Sequence, residues 1–209
     1  MSYKVKEIFG PTIQGEGSYA GSCVYFIRLA GCNRWTGREK DREKSICKFC
    51  DTDFVGGESM ERQEIVSKLL SLGAERGSNI VISGGEPTLQ IDENLLIGLN
   101  DELFSIHLET NGSKKLGLLI NYFDHVTLSP KQSMEQTKLE QCDDLKILHP
   151  SISEDISHEK FRDYKASERY VQPVMDDNYQ SNIFESIELV TKDNNLRLSV
   201  QLHKIIGVG

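Results

Sequence analysis

Short apolar runs alternate with helix-like segments along almost all of this chain of 209 residues. The apolar runs have the length and the branched or aromatic residues of β-strands, at 23–31, 79–83, 105–110, 125–130, 144–148, 169–174 and 196–203. Between them, segments 60–73 and 182–192 carry apolar residues at helical spacing. Strand and helix in alternation predict βα units around a largely parallel sheet.

About six of these repeats are complete enough to form a βα unit, fewer than the eight of a full TIM barrel. The sequence therefore predicts the α/β class, as an incomplete, TIM-like parallel β/α barrel of about six strands. We find neither a linker-like tract of Pro, Gly and Ser nor an internal repeat. We therefore expect a single domain over residues 1–209.

Charge and hydropathy argue against several classes of protein. The 24 basic and 32 acidic side chains give a net charge of −8, which opposes binding to nucleic acid. The apolar runs are too short to span a bilayer, and "MSYKVKEIFGP" lacks the apolar core of a secretory signal, so we expect a cytoplasmic protein without a membrane partner. Stretch 34–48 is locally basic, but acidic residues alternate with its cations, which favours a solvated surface insertion.

Polar motifs follow six of the predicted strands. These motifs are "GCNRW", "SGGEP", "ETNG", "SPK", "QPV" and the single residue His203. In parallel α/β folds the chemistry collects at the carboxyl ends of the strands. Each motif alone could be an ordinary turn, but six together predict one functional rim.

Three of the five cysteines form the pattern C-x14-C-x2-C, at Cys32, Cys47 and Cys50. A structural zinc site would need a fourth ligand, for which Cys23 or Cys142 is available, but neither belongs to a second C-x2-C pair. The alternative is a 4Fe–4S cluster held by three thiolates, which leaves one iron open to a ligand. The residues alone leave both possibilities open.

The motif "SGGEP" suggests what the open iron would bind. Two consecutive glycines after a strand allow the backbone to approach a ligand closely, and Glu86 can accept hydrogen bonds from a cation or hydroxyl. A three-cysteine loop combined with such a motif resembles the radical S-adenosylmethionine (SAM) enzymes, in which the amino and carboxylate groups of SAM chelate that iron. The usual superfamily spacing is C-x3-C-x2-C, from which this chain departs by its insertion.

Longer motifs resemble one family within that superfamily, the 7-carboxy-7-deazaguanine synthases. The motifs run from end to end of the chain: "KEIFGPTIQGEGSYAG", "FIRLAGCN", "CDTDF", "SGGEP", "ETNG", "SPK", "VQPVMD" and "QLHKIIGVG". The resemblance implies conversion of 6-carboxy-5,6,7,8-tetrahydropterin to 7-carboxy-7-deazaguanine with loss of ammonia, on the route to queuosine and related deazapurines. It also implies Mg²⁺, an external electron donor such as a flavodoxin-like protein, and a homodimer.

The resemblance assigns residues to four groups. The cluster ligands would be Cys32, Cys47 and Cys50, and the magnesium ligand would be Thr52. The SAM-binding residues would be Lys48, Phe49, Asp51, Gly85, Glu86, Thr110, Ser129, Pro130, Lys131, Gln172, Pro173, Val174 and Met175. The substrate-binding residues would be Ile13, Gln14, Gly15, Glu16, Arg28, Ser83, His203 and Gly209. We assign no catalytic side chain, because the cofactor supplies the radical chemistry.

Residue chemistry agrees with a small acidic substrate. Gln14 and Glu16 offer an amide and an acceptor for a pterin edge, and Arg28 offers a cation for its carboxylate. Other interpretations stay open, since Arg28 could pair with a carboxylate of the chain, a lone His is often structural, and Thr52 alone is typical of a loop hydroxyl.

Two other functions remain open from the sequence. An activase that installs a glycyl radical on a partner protein would share the cluster and the GGE motif but would need an open groove for a peptide. A non-catalytic, zinc-stabilised binding domain would share only the cysteines.

Overall fold

The computed structural model describes residues 1–208, so Gly209, a predicted substrate residue, lies outside the described residues. The strands are β1 Ser2–Ile13, β2 Cys23–Leu29, β3 Glu58–Glu61, β4 Asn79–Gly84, β5 Ser105–Thr110, β6 His125–Leu128, β7 Cys142–His149, β8 Ala166–Pro173 and β9 Arg197–Leu198. The α-helices are α1 Arg62–Ser71, α2 Glu93–Asp101, α3 Tyr179–Lys192 and α4 Leu202–Ile206. Among the helices of residues 1–208, none has the length and hydropathy that a membrane-spanning segment needs.

The chain forms two compact units. The first comprises Met1–Ile13, Cys23–Thr110 and Leu116–Val126, and the second comprises Gln14–Ser22, Asn111–Lys115 and residues 127–208. The prediction of a single domain over 1–209 stays a prediction.

In the first unit the strand order is β3-β1-β2-β4-β5. Strand β1 runs antiparallel to both β2 and β3, whereas β2, β4 and β5 are parallel. Leu29 at the end of β2 pairs with Gly84 at the end of β4, so the two strands end level with each other. The loops that follow them therefore start side by side.

In the second unit β7 runs parallel to β8, and β8 runs parallel to the short β9. Thr127 and Leu128 of β6 pair in parallel with β7. The prediction of α/β structure with a largely parallel sheet is thus confirmed in both units.

Burial explains why these strands form. Ile80, Val81 and Ile82 of β4 are consecutive and fully buried, which is the pattern of a parallel strand covered on both faces. Helix α1 buries Ile65 and Leu69 at helical spacing, as the sequence predicts.

The strand prediction for 196–203 is wrong in its second half. Strand β9 has only two residues, and His203 lies in α4 instead of at a strand end. The residues after β9 turn away from the ladder because Leu202 donates its backbone N–H to the Gly15 carbonyl at 2.9 Å. The alternating apolar pattern of "LRLSVQLH" resembles a strand but cannot reveal this contact.

Strands β1 and β3 are missing from the sequence prediction. Strand β1 contains Gly10 and Pro11, a pair typical of turns, and its pairing with β2 shifts register between Phe9 and Thr12. The pair occupies a bulge within the strand instead of ending it.

Candidate active site

The cysteine loop of the first unit begins directly after β2. Cys32 follows Gly31, and Cys47 and Cys50 lie in a turn in which the Cys50 N–H donates to the Cys47 carbonyl at 3.2 Å. Cys47 is buried, and Cys32 and Cys50 are half-buried. No disulfide joins any of the five cysteines, all of which lie within residues 1–208.

The "GGE" loop after β4 packs directly on the start of the cysteine loop. The Glu86 N–H donates to the Gly31 carbonyl at 2.9 Å, and the Gly85 N–H donates to the Leu29 carbonyl at 3.2 Å. A Cβ atom at Gly85 would lie 2.1 Å from the Gly31 oxygen and 2.9 Å from Cys32 Cβ. The two predicted motifs therefore interlock, and the contact leaves no room for a side chain at Gly85.

The Glu86 carboxylate is buried and held by hydroxyl groups. Its Oε1 accepts hydrogen bonds from Thr110 Oγ1 at 2.7 Å and from the Thr88 N–H at 3.1 Å, as well as from the Thr88 hydroxyl. Thr110 ends β5, so the structure brings together two predicted cofactor residues from neighbouring strands. Ser83, a predicted substrate residue, donates to Glu109 Oε2 at 3.0 Å.

The residues around the C-x2-C turn are mostly accessible. Lys48 and Asp51 are exposed, and Phe49 and Thr52 are half-buried. The Lys48 ammonium lies 3.9 Å from Glu43 Oε2. The magnesium role of Thr52 stays a prediction.

Arg28 has an internal partner. Its Nε lies 2.7 Å from Glu7 Oε1 on the neighbouring strand β1, and its guanidinium lies over the Phe9 ring at 5.6 Å from the ring centre. Pairing with the chain's own carboxylate, the alternative left open by the sequence, is therefore present. Binding of the substrate carboxylate by Arg28 stays a prediction. Ile13 ends β1 and is half-buried opposite Cys23.

The three thiols of the cysteine loop are not grouped around one metal centre. Within residues 1–208, no three or more His, Cys, Asp or Glu side chains are grouped so that they could hold one metal ion. Zinc needs all its ligands within about 2.3 Å of one centre, whereas the thiolates of a cluster bind different irons and lie farther apart.

Neither remaining cysteine supplies a convincing fourth ligand. Cys23 begins β2 and Cys32 follows its other end, so the two are separated by a seven-residue strand of about 20 Å. Cys142 begins β7, where it is buried, and burial raises the pKa of its thiol to about 12.

In the second unit, the loop after β1 forms a compact turn around Gln14. Gln14 is buried, and its Oε1 accepts hydrogen bonds from the Gly15 N–H at 2.8 Å and the Glu16 N–H at 3.3 Å. A Cβ atom at Gly15 would lie 1.8 Å from His203 Nδ1. The predicted substrate residues Gly15 and His203 are therefore in direct contact.

Glu16 lies in a polar network with Lys146 of β7. Its carboxylate pairs with the Lys146 ammonium, and its Oε1 accepts from Gln172 Nε2 at 3.1 Å and Gln201 Nε2 at 2.8 Å. Burial by itself raises the pKa of Glu16, but the Lys146 charge and hydrogen bond outweigh it and hold the pKa at about 2. Glu16 is therefore a carboxylate at neutral pH.

Sequence reasoning missed Lys146 and Gln201. A signal for Lys146 existed, because it is a charged residue inside the apolar run "DLKIL" of a strand that is buried on both sides. Gln201 carries no such signal, since it lies in the segment that the sequence predicts as a strand.

The two remaining motifs of the second unit follow β6 and β8 as predicted. Lys131 Nζ donates to the Ser129 carbonyl at 2.9 Å and to Ser129 Oγ at 2.7 Å, beside buried Pro130. Pro173 ends β8, and the Val174 N–H donates to the His149 carbonyl at 2.8 Å. Met175 is half-buried. The roles of all these residues in binding stay predictions.

Comparison with known proteins identifies the class. A model of the Radical SAM superfamily matches residues 43–170. The match begins after Cys32, consistent with the long spacing between the first two cysteines of the loop.

Curated relatives narrow the class to one family. The chain is 37% identical to the 7-carboxy-7-deazaguanine synthase of Bradyrhizobium diazoefficiens and 36% identical to that of Burkholderia multivorans, with all of each chain covered. Among solved structures it is similar to QueE from Escherichia coli, with a TM-score of 0.69 and 25% identity over 97% of this chain and 95% of that chain. The chain therefore belongs to the 7-carboxy-7-deazaguanine synthase family. The expected fold class, an incomplete parallel β/α barrel, is confirmed by the same matches.

Proposed function

We propose that the protein converts 6-carboxy-5,6,7,8-tetrahydropterin to 7-carboxy-7-deazaguanine with loss of ammonia, as a radical SAM carbon–nitrogen lyase. The observation that carries the proposal is the interlock of the Gly85–Glu86 loop with Gly31 and Cys32, in a chain that matches the family over its full length. An open iron and a cofactor-binding loop must lie side by side for this chemistry, and these two loops do.

Cys32, Cys47 and Cys50 would hold a 4Fe–4S cluster, and the Gly85–Glu86 loop would receive SAM. When bound, the cluster and SAM supply the carbon radical that starts the reaction. Buried Glu86 offers a carboxylate to the amino group of SAM, and the threonine hydroxyls on its Oε1 fix the orientation of that carboxylate.

Residues of the second unit would bind the pterin. Glu16, with a pKa of about 2, stays ionised at neutral pH, so it can accept hydrogen bonds from the pterin but does not serve as a general acid. The His203 imidazole lies against the backbone of Gly15, which has no side chain. Such a surface suits the flat, polar ring of a pterin.

The remaining features of the proposal come from the resemblance. They are Mg²⁺ at Thr52, an external electron donor, a homodimer and a cytoplasmic location. Thr52 follows Cys50 by two residues, and its hydroxyl would be one of several oxygen ligands of Mg²⁺, the others coming from water and substrate.

The glycyl-radical activase is the second candidate, and the comparisons argue against it. The relatives that the chain matches over their full length are named 7-carboxy-7-deazaguanine synthase. An activase would also leave the carboxypterin unchanged.

The test is anaerobic reconstitution with iron and sulfide, followed by incubation with SAM, a reductant and the carboxypterin. We expect about four irons and four sulfides per chain and formation of the deazaguanine acid, detected by mass spectrometry. Cys47→Ala should lose both the cluster and the product.

Cys23→Ala is the matched control, because this exposed thiol lies outside the cysteine loop. It should keep the cluster and the activity. A colourless wild-type protein that binds one zinc, or a cluster-loaded protein that leaves the pterin intact, would refute the proposal.

A further inference from the structure

The insertion that separates Cys32 from Cys47 is an ordered element built around one arginine. It contains a 3-10 helix at Glu39–Lys44, and Arg42 lies in that helix. Its neighbours Glu43 and Lys44 are exposed, whereas the Arg42 side chain is 27% accessible and turned toward the cysteine loop.

The Arg42 guanidinium binds the C-x2-C turn through its backbone. Nη1 donates to the Lys48 carbonyl at 2.8 Å and to the Cys50 carbonyl at 2.9 Å. The first oxygen belongs to Lys48, the residue after Cys47, and the second belongs to Cys50 itself. One cation therefore fixes the turn that carries both thiols. Hydrogen bonds from a charged donor are stronger than neutral ones.

Two contacts fix the guanidinium itself. Its Nε donates to the Glu39 carboxylate at 2.7 and 2.9 Å, and its plane lies over the Trp35 ring at 4.2 Å from the ring centre. An arginine held on both its edge and its face has little freedom to leave the carbonyl groups.

The same arrangement reaches the other end of the loop. Trp35 is buried and packs edge-on against Phe54 at 5.7 Å, and Phe54 accepts a hydrogen bond from the Gly31 N–H at 3.0 Å. Gly31 is the residue before Cys32. A continuous set of contacts thus joins the Arg42 side chain to both the first and the last cysteines.

We propose that Arg42 is a positioning residue for the iron–sulfur cluster, which fixes the turn of Cys47 and Cys50 and places a permanent positive charge beside their thiolates. The inference rests on the proposed function, since it needs the cluster. A positive charge near the cluster favours its reduced, more negative form, so Arg42 raises the reduction potential as well as anchoring the loop.

The test compares Arg42→Gln, Arg42→Lys and Arg38→Gln in the full-length reconstituted protein. Two quantities are measured without substrate: the rate of iron loss to a chelator, and the reduction potential from a redox titration followed by electron paramagnetic resonance. Arg38 is the matched control because it is an exposed arginine in the same insertion. Circular dichroism of the apo-proteins checks that each variant folds.

We expect Arg42→Gln to lose iron about tenfold faster, because two charged hydrogen bonds to the turn are gone. At a fixed potential, the ratio of reduced to oxidised cluster should fall about three- to tenfold. Arg42→Lys keeps the charge but not the planar fork, so it should lose iron faster while its potential stays near that of the wild type. Arg38→Gln should change neither quantity.

Three results would overturn the inference. Arg42→Gln with the iron retention and potential of the wild type removes the positioning role. A potential that shifts equally in Arg42→Lys and Arg42→Gln removes the role of the charge. A wild-type protein that takes up no iron would refute both the proposed function and this inference. Iron analysis of the wild type therefore separates that result from a failure of the Arg42 inference alone.

Discussion

Gly85 shows how a single residue depends on the end of a neighbouring strand. Its backbone lies against the carbonyl of Gly31, at a distance that leaves no space for a methyl group. Its importance therefore comes from proximity, because the residue has no positive φ that would require glycine.

Gly85→Ala should destabilise the folded protein by about 1–3 kcal/mol, because the new methyl must displace backbone. The loop of Cys32 should be disturbed with it, so reconstituted protein should hold less iron. Urea unfolding and iron analysis measure the two effects. Gly98→Ala is the control. Gly98 lies in helix α2, and a Cβ atom there would meet the flexible side chain of Arg62, which can move aside. Equal stability of both variants would contradict this prediction.

His158 gives the protein a pH-dependent stability. Its Nε2 is buried without a hydrogen-bond partner, and burial lowers the pKa of the imidazole from 6.5 to about 4. Between these two values the unfolded chain binds a proton that the folded chain does not, so stability falls as the pH drops from 6.5 toward 4.

His158→Phe should remove up to about 3 kcal/mol of this pH-dependent loss. Urea unfolding at a series of pH values measures it as a shallower slope between pH 4 and 6.5. Measurement at pH 8 serves as the reference, since the imidazole is neutral there in both states and the variant reports packing alone. A slope identical to that of the wild type would show that another group is responsible.

Glu16 and Lys146 form a buried pair in which each charge needs the other. Glu16 has a pKa lowered to about 2, so its contribution to stability is fully present above its unfolded value of 4.5 and is lost as the pH falls through about 2. At neutral pH the pair is fully charged.

Glu16→Gln should cost about 3–5 kcal/mol, because it leaves the Lys146 ammonium buried without its counter-charge. Adding Lys146→Met should restore part of that loss. Thermal unfolding of both single variants and the double variant completes the cycle. A double variant whose loss of stability equals the sum of the two single losses would show that the pair is not coupled.

Helix α1 illustrates how a local signal decides an element. Its first turn contains a capping box, in which the Glu61 N–H donates to Glu64 Oε2 at 2.6 Å and the Glu61 side chain accepts from the backbone three residues on. Two otherwise unsatisfied N–H groups are thereby paired, directly after β3.

Glu64→Ala should lower the stability by about 0.5–1 kcal/mol, since one of those pairs is lost. Lys68→Ala on the same helix is the control and should change stability by less than about 0.5 kcal/mol. Chemical denaturation resolves the difference. If both substitutions have the same effect, the cap contributes nothing.

Local sequence patterns predict some of the strands but not all of them. The prediction of β2, β4 and β5 holds because continuous apolar runs bounded by Gly and polar residues are typical of buried parallel strands. Strand β1 was missed because Gly10–Pro11 is locally typical of a turn, and its place in the sheet depends on pairing with β2 and β3. The predicted strand at 196–203 is too long, because the backbone N–H of Leu202 donates to the Gly15 carbonyl instead of to a neighbouring strand.

For the whole molecule, binding of the cofactor should couple to folding. A ligand that binds only the folded state stabilises it by RT ln(1 + [L]/Kd), or about 2.7 kcal/mol at one hundred times Kd. Cluster-loaded wild-type protein should therefore unfold at a higher temperature when SAM is added. Cys47→Ala should show no such increase if, as proposed, this thiol holds the cluster that would bind SAM. An equal increase in both proteins would place the SAM contacts away from the cysteine loop.

The sequence by itself determined the α/β class, the family and the placement of every polar motif except His203 at a strand end, because periodicity, turn residues and thiol spacing are local properties of the chain. Only the tertiary structure decided that Arg28 pairs with Glu7, that Lys146 and two glutamines hold Glu16, and that Arg42 clamps the C-x2-C turn. The physical reason is that a charge or a carbonyl group takes its partner from whichever segments the fold brings within hydrogen-bonding distance. These partners lie between 6 and 185 positions away in the sequence.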